Sequence, residues 1–348
     1  MSAGTVVLIY ILLITASQTR TTSAAESIGL KNTVRQPICK LSEELATLPG
    51  FALDQAVQAL KAAQTFDVAS KRAAIDAGIN IGTPLAEKTT LLKDYYARLA
   101  DRAYSKLLAT GVKTQFTAAA KTAYLKGRLD DYLALLAQST ATSNNACLLP
   151  GTTNSDAATY THGKTIGEAA CKLTAPDLAT KTSTTTELTK DGYKNLIEGA
   201  PAGDKHQPVA GGNGNKCKLL SGTTSGYANG ISLAGQPKVM AGYITIPTTA
   251  TGITLETQTT LKDSNSAATA PWYEAFKATK SLTTADVVEF RDEIGDLHSK
   301  TTLKETVKAL FLADPKAAYT DVTTAIAKIF GDKSDDKCTE LENAIDNT

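Results

Sequence analysis

The chain has little of what a catalytic or nucleic-acid-binding protein needs. Of its 348 residues only three are histidine, and His162, His206 and His298 stand singly with no partners at metal-ligand or general-base spacing. The formal net charge of +1 offers no electrostatic handle for nucleic acid or for an anionic membrane surface. Aromatics make up 6% of the chain, with a single tryptophan, Trp272, so a core has to come mainly from Leu, Ala and Val. No complete Asn-x-Ser/Thr acceptor occurs, so any sugar would have to be O-linked.

The motifs that imitate chemistry fail on spacing. Gly211-Gly212-Asn213-Gly214 lacks both nucleotide-binding fingerprints and reads as a turn-rich loop. Asp130-Asp131 looks like a carboxylate pair, but adjacent helical residues diverge by about 100°, which points to a solvated face. No Gly-x-Ser-x-Gly elbow or Cys/His nucleophile arrangement is present. The expectation is a non-enzyme with no cofactor and no metal.

The longest apolar run, Val6 to Ile14, is too short to span a bilayer and has the length of a signal-peptide core. Residues 1–23 therefore read as a removable leader, with cleavage before Ala24 or Ala25 among small residues. A buried N-terminal strand is the competing reading. Entry into an oxidising compartment gives the five cysteines meaning. Cys39, Cys147, Cys171, Cys217 and Cys338 are too widely spaced for a zinc site built from local pairs, and four of them can close two long loops. Cys338, near the end, is left to bridge another chain or sequence this chain lacks.

Helical periodicity dominates the first part. Leu41, Leu45 and Leu48, then Leu53, Val57 and Leu60, recur at spacings of 4 and 3 and place an apolar stripe along one helix. Pro49 between them should kink or interrupt it. After Ile81-Gly82 the chain restarts at Thr83-Pro84, an N-cap hydroxyl followed by proline. Leu85, Leu92, Tyr96, Leu99, Ala103 and Leu107 continue the stripe, and Leu125, Leu129, Tyr132 and Leu136 repeat it. Two such arms and a tight turn predict a long antiparallel coiled-coil hairpin over residues 24–142.

From 143 to 270 Gly, Thr, Asn and Ser take over, predicting a loop-rich head with one persuasive strand, Val239–Ile246, ended by Pro247. Ser221, Thr223, Thr224 and Ser225 in this stretch form a candidate exposed epitope or O-glycan loop. Residues 271–348 return to helix: from Thr283 through Ile294, then Thr302–Leu312, then Pro315–Phe330.

In order along the chain stand Gln36-Pro37-Ile38-Cys39-Lys40-Leu41-Ser42-Glu43-Glu44-Leu45, Ala77-Gly78-Ile79-Asn80-Ile81-Gly82-Thr83 and Tyr124-Leu125-Lys126-Gly127-Arg128-Leu129-Asp130-Asp131-Tyr132-Leu133. Thr165-Ile166-Gly167 before Cys171-Lys172-Leu173, then Met240-Ala241-Gly242-Tyr243, Pro271-Trp272 and Glu289-Phe290-Arg291 complete the series. With these segments the chain resembles the N-terminal domain of the variant surface glycoproteins of African trypanosomes, class A. The resemblance implies a mainly α fold: a hairpin in a dimeric bundle, with a disulfide-tied, loop-rich head containing a small β-sheet. It implies bridges Cys39–Cys171 and Cys147–Cys217, a homodimer, and a dense cell-surface coat that shields membrane proteins, meets host antibodies and evades them by antigenic variation. It implies a GPI anchor too, carried by a Cys-rich C-terminal domain and anchor signal that this chain does not include; a fragment and a truncated relative both fit that difference. The alternative is a receptor on the same scaffold that binds a host serum protein, transferrin or a lytic factor.

Overall fold

The computed structural model describes residues 29–139, 146–150, 157–199, 217–222, 233–248, 252–261, 270–282, 300–312, 316 and 318–331. The leader, the 211–214 glycines, Thr223–Ser225, His206, His298, the helix expected from Thr283, and Cys338 lie outside them. Helices account for most of what is described. They are α1 (Asn32–Ile79), α2 (Pro84–Lys106), a π-helical turn (Leu107–Gly111), α3 (Val112–Gln138), α4 (Ala270–Leu282), α5 (Thr301–Phe311) and α6 (Tyr319–Phe330). The described residues fall into two compact units. One holds the chain up to Glu44, Tyr124–Ala175 and Thr185–Tyr273, and the other holds Leu45–Ala123, Pro176–Thr184 and Glu274 onward.

The second unit is built on the hairpin. Gly82 at φ +83° turns the chain between α1 and α2, a conformation glycine adopts without Cβ strain. Pro84 starts α2 as expected, but the Thr83 hydroxyl does not cap it; it donates backwards to the Asn80 carbonyl at 2.8 Å. The seam between the arms is lined on α1 by Ala59, Ala63, Phe66 and Ala73 and on α2 by Leu91, Leu92, Tyr95, Leu99 and Ala103. Small residues on one side and large ones on the other let the helices interdigitate closely. Ser70 donates to the Lys93 carbonyl at 2.9 Å, which fixes the antiparallel register. Leu303, Val307, Val322, Ile326 and Phe330 from α5 and α6 join the same core. At the edge, Arg102 donates to the Thr302 hydroxyl and to Glu305.

Two expectations for α1 change here. The helix runs unbroken through Pro49. Proline there removes one donor and crowds the preceding turn, at about 3 kcal/mol. Leu45 and Leu48 before it and Ala52 after it are all fully buried, and each large apolar side chain returns about 1.5–3 kcal/mol. Packing on both sides therefore outweighs the local defect. Leu53, Val57 and Leu60, by contrast, do not enter the seam within this chain: they are 45%, 38% and 40% exposed. The periodicity was real, but alanines one position away, Ala52 and Ala59, are the buried residues.

Between α2 and α3 the buried positions Leu99, Ala103, Leu107 and Gly111 advance by four each time, so on an ideal helix they drift steadily around the axis. The π turn at Leu107–Gly111 takes up that extra residue, and Gln115, Ala118, Thr122 and Leu125 continue the buried face. α4 was not anticipated from periodicity. Its buried residues Trp272, Ala275, Phe276, Thr279 and Leu282 nonetheless follow helical spacing, with Pro271 in its first turn. α5 matches its expected range closely, and α6 begins at Tyr319, not Pro315.

Pro49-Gly50 serves a purpose other than a break. A Cβ on Gly50 would lie 2.5 Å from the Asp177 carbonyl and 2.6 Å from that of Thr180, so the 176–184 segment crosses α1 where only glycine fits. Gly50→Ala is expected to lose about 1–3 kcal/mol of stability in a urea melt, because backbone cannot yield as a side chain can. Gly78→Ala, at a site with nothing within 4 Å, should be neutral or slightly stabilising. Equal effects at the two sites would refute the crossing.

Candidate functional site

The loop-rich unit is held by covalent bonds and buried polar contacts more than by regular structure. Its strands are two residues each: β1 (Tyr160–Thr161), β2 (Thr165–Ile166) and β3 (Ala169–Ala170) form one antiparallel sheet. β4 (Lys238–Val239), β5 (Ile244–Thr245) and β6 (Thr254–Leu255) form another. The single strand expected over Val239–Ile246 is instead a tight hairpin. Met240, Ala241 and Gly242 all take positive φ (50°, 53° and 91°) and reverse the chain. A left-handed turn costs roughly 1–2 kcal/mol per non-glycine residue. Burial of Met240 and its carbonyl, which accepts from the Trp272 indole N–H at 3.1 Å, holds the turn in place. Trp272 is the hub of this region: Tyr193 meets it edge-on at 5.0 Å and Tyr243 at 5.5 Å. The Tyr193 hydroxyl donates to the Trp272 carbonyl and that of Tyr243 to the Ile197 carbonyl. Burial pushes the Tyr243 phenol well above its ordinary pKa, so it stays a donor.

The structure brings Cys39 together with Cys171, and Cys147 with Cys217. The first closes a separation of 132 residues and the second of 70; in the chain-entropy account loops of this size contribute on the order of 4–5 kcal/mol each. Leu30 adds a backbone staple, donating to the Cys147 carbonyl at 2.7 Å and accepting from Leu149 at 3.0 Å. Around Cys39 the first turns of α1 serve as a polar anchor. The Arg35 guanidinium is fully buried; it donates to the Ile166 carbonyl at 2.5 Å and to Asn32 Oδ1 at 2.6 Å. Burial lowers it to about 10, so it remains charged at neutral pH. Gly167, at φ +61°, leaves room for it: a Cβ there would sit 3.1 Å from the guanidinium.

One turn on, Lys126 donates to the Ser42 hydroxyl at 3.0 Å and ion-pairs with Asp130, to which Ser42 also donates. The Asp130-Asp131 pair thus divides. Asp131 is exposed as expected, while Asp130 is half of an enclosed ion pair and not part of a solvated face. Desolvation raises the Asp130 carboxyl, against the opposing pull of Lys126 and Ser42. Glu43 receives the backbone N–H of Lys172 at 2.6 Å.

Glu44 makes the most concentrated contact. Its carboxylate accepts the backbone N–H groups of Thr186, Glu187 and Leu188 at 2.6–2.9 Å, and the Thr186 hydroxyl at 3.1 Å. Three consecutive amides converging on a buried carboxylate form an anion nest supplied from within the chain. Sequence reasoning missed this role because a glutamate on a helix ordinarily faces water, and its partners lie far along the chain.

The candidate loop residues do not share one surface. Ser221 is only 5% exposed, beside Gly222, whose N–H donates to the Pro247 carbonyl at 2.9 Å, so it is not an accessible acceptor for a sugar. Thr223, Thr224 and Ser225 lie outside the described residues. Among the described residues no cluster of three or more His, Cys, Asp or Glu could hold a metal, and His162 is exposed beside Tyr160. No described helix is long and apolar enough to cross a membrane.

In the hairpin unit the notable surface is apolar. Leu53, Val57, Leu60, Val68, Ile75 and Ile79 of α1 are all 38% or more exposed. At 100° per residue they fall within an arc of about 100°, forming a stripe on the side of the helix away from Ala59, Ala63 and Ala73. Leu53, Val57 and Leu60 are positions that periodicity alone assigns to the seam inside the chain; Val68, Ile75 and Ile79 extend the same stripe beyond them.

Glu44→Ala is expected to cost about 3 kcal/mol, since it strips three buried amides of a charged acceptor. Glu44→Gln, which keeps one acceptor oxygen, should cost less. Urea midpoints of the two variants check the order, and a neutral Glu44→Ala would refute the clasp.

Comparison with known proteins follows this architecture. A profile described as trypanosome variant surface glycoprotein (A-type) matches residues 11–348. Variant surface glycoprotein MITAT 1.1 of Trypanosoma brucei brucei is 33% identical over 337 residues, covering 96% of this chain and 68% of that protein. Variant surface glycoprotein MITAT 1.2 of the same organism is 33% identical over 324 residues, covering 93% and 67%. A solved structure of MITat 1.1 superposes with a TM-score of 0.82 at 31% identity, covering 93% of this chain and 88% of that one. A mainly helical hairpin, two small antiparallel sheets and near-complete coverage agree, and the chain belongs to the A-type variant surface glycoproteins of trypanosomes, a family of cell-surface coat glycoproteins.

Proposed function

We propose that the chain is a non-catalytic coat antigen that works as a homodimer, packing beside neighbouring copies to shield the cell surface and presenting its loops to host antibodies. Alignment of 93–96% of this chain with coat glycoproteins, over about two thirds of their own length, carries this reading. Loops tied by two disulfides, with their buried anchors in α1, support the antigenic part. Side chains at loop surfaces can change while Cys39–Cys171, Cys147–Cys217 and the Glu44 clasp keep the backbone in place. Attachment to the membrane through a GPI anchor follows from family membership and belongs to this proposal.

The exposed stripe of α1 supports the homodimer. Six large apolar side chains within one arc are unusual on a free surface, and contact with a second copy would cover them. The receptor alternative, in which a serum protein such as transferrin or a lytic factor is the ligand, makes a different demand: a host protein held at stoichiometric level.

Two measurements separate these readings. Light scattering of the purified chain should give the mass of two chains, and a pulldown from host serum should retain no stoichiometric partner other than antibody. A single-chain mass at all concentrations would overturn the homodimer, and a stoichiometric serum protein would establish the receptor. Leu60→Asp, at a 40% exposed position, should yield a folded monomer. Leu99→Asp, only 7% exposed within the seam, should unfold the hairpin by burying an unpaired charge. Circular dichroism alongside mass distinguishes the two; matching behaviour would refute the division between inner seam and outer stripe.

A further inference from the structure

The outer stripe of α1 is interrupted by one uncharged polar residue. Gln64 lies one turn from Leu60 and one turn from Val68 and falls in the same arc. It is exposed, and among the described residues its side-chain amide meets no hydrogen-bond partner. Lys71 also falls in the arc, but its ammonium is held by Asp67 of the same chain at 2.6 Å. Beside Gln64 the surface is hollowed: a groove of about 620 Å³ is lined by Lys61, Gln64, Phe66, Val68, Arg72 and Tyr96, among others. A polar residue placed within an apolar seam is a device that sets register and chain number in two-stranded helical assemblies, at some cost in stability.

We propose that Gln64 is the specificity-determining residue of the self-association surface, pairing with Gln64 of a second copy and so limiting the assembly to two chains in one register. This rests on the homodimer reading above. A carboxamide carries both a donor and an acceptor, so two of them related by a two-fold axis satisfy one another. With the axis along α1, equal positions meet: Leu53 with Leu53, Leu60 with Leu60, Ile75 with Ile75, and the amide with its counterpart. The flanks agree with this arrangement. Asp67 and Arg72 stand on opposite sides of the stripe a little over one turn apart, placing the Asp67 of each copy towards the Arg72 of the other. Reversing one helix about the middle of the stripe instead sets Gln64 against Val68, and Lys61 against Lys71. That arrangement leaves an amide unsatisfied and brings like charges together, both unfavourable on desolvation.

The test is the solution mass of wild type, Gln64→Leu and Gln64→Asn by sedimentation equilibrium across a concentration series, with circular dichroism to establish folding. Because Gln64 is exposed within the chain, all three should fold alike. Wild type and Gln64→Asn are expected as two-chain particles. Gln64→Leu is expected to self-associate about tenfold more tightly, the gain from adding apolar contact in place of an amide, and to populate species larger than two chains. A Gln64→Leu protein that remains strictly two-chain with unchanged affinity overturns the role of Gln64 while leaving the homodimer intact. A wild type that stays monomeric throughout overturns the homodimer and this proposal with it.

Discussion

One helix, α1, has to satisfy three environments at once, and most of the structure follows from how its residues are divided among them. Its first turns lie in the disulfide-tied unit, where Arg35, Cys39, Glu43 and Glu44 reach loop residues and Ser42 reaches Lys126 and Asp130 of α3. Beyond Leu45 its inner face, small and mostly alanine, accepts the large side chains of α2. Its outer face keeps leucine, valine and isoleucine exposed. An unbroken helix keeps the inner and outer faces beyond Leu45 in phase. Pro49 is tolerated inside α1 because local packing offsets one lost hydrogen bond.

The loop-rich unit solves a different problem. Strands of two residues cannot stabilise themselves. Their order comes from long-range closures, two disulfides and the Trp272 cluster, together with charged groups in α1 that accept or donate to loop backbone. Buried polar groups are favourable only when satisfied, so each such anchor specifies a particular loop path. Surface positions between the anchors carry no such obligation. The coat-antigen role proposed above calls for both properties: fixed attachment points and permissive exteriors.

Much of this was legible before any coordinates. The hairpin turn at Gly82-Thr83-Pro84, the arms on either side of it, and the change to a Gly/Thr-rich region after residue 143 were all written in local pattern, because helix periodicity and turn chemistry act over a few residues. Cysteine count and spacing indicated two long closures and argued against a zinc site built from local pairs, although the pairing itself came from family resemblance. Three local readings failed for identifiable reasons. Pro49 obeyed its packing more than its ring, Val239–Ile246 folded back at Met240-Ala241-Gly242, and Ser221 turned inward.

By itself the sequence determined the two long helical arms, the reversal at Gly82-Thr83-Pro84 between them, and the change to loop-rich chain after residue 143. These are properties of neighbouring residues, and neighbours are fixed by the chain. Tertiary structure alone decided that the alanines of α1, not its leucines, face α2, that Glu44 serves three amides far along the chain, and that Asp130 pairs with Lys126 while Asp131 faces water. Two interleaved stripes on one helix have the same period, so periodicity cannot say which of them meets its own chain. Packing chooses the stripe whose small side chains permit the closest approach, and the larger one remains exposed within this chain.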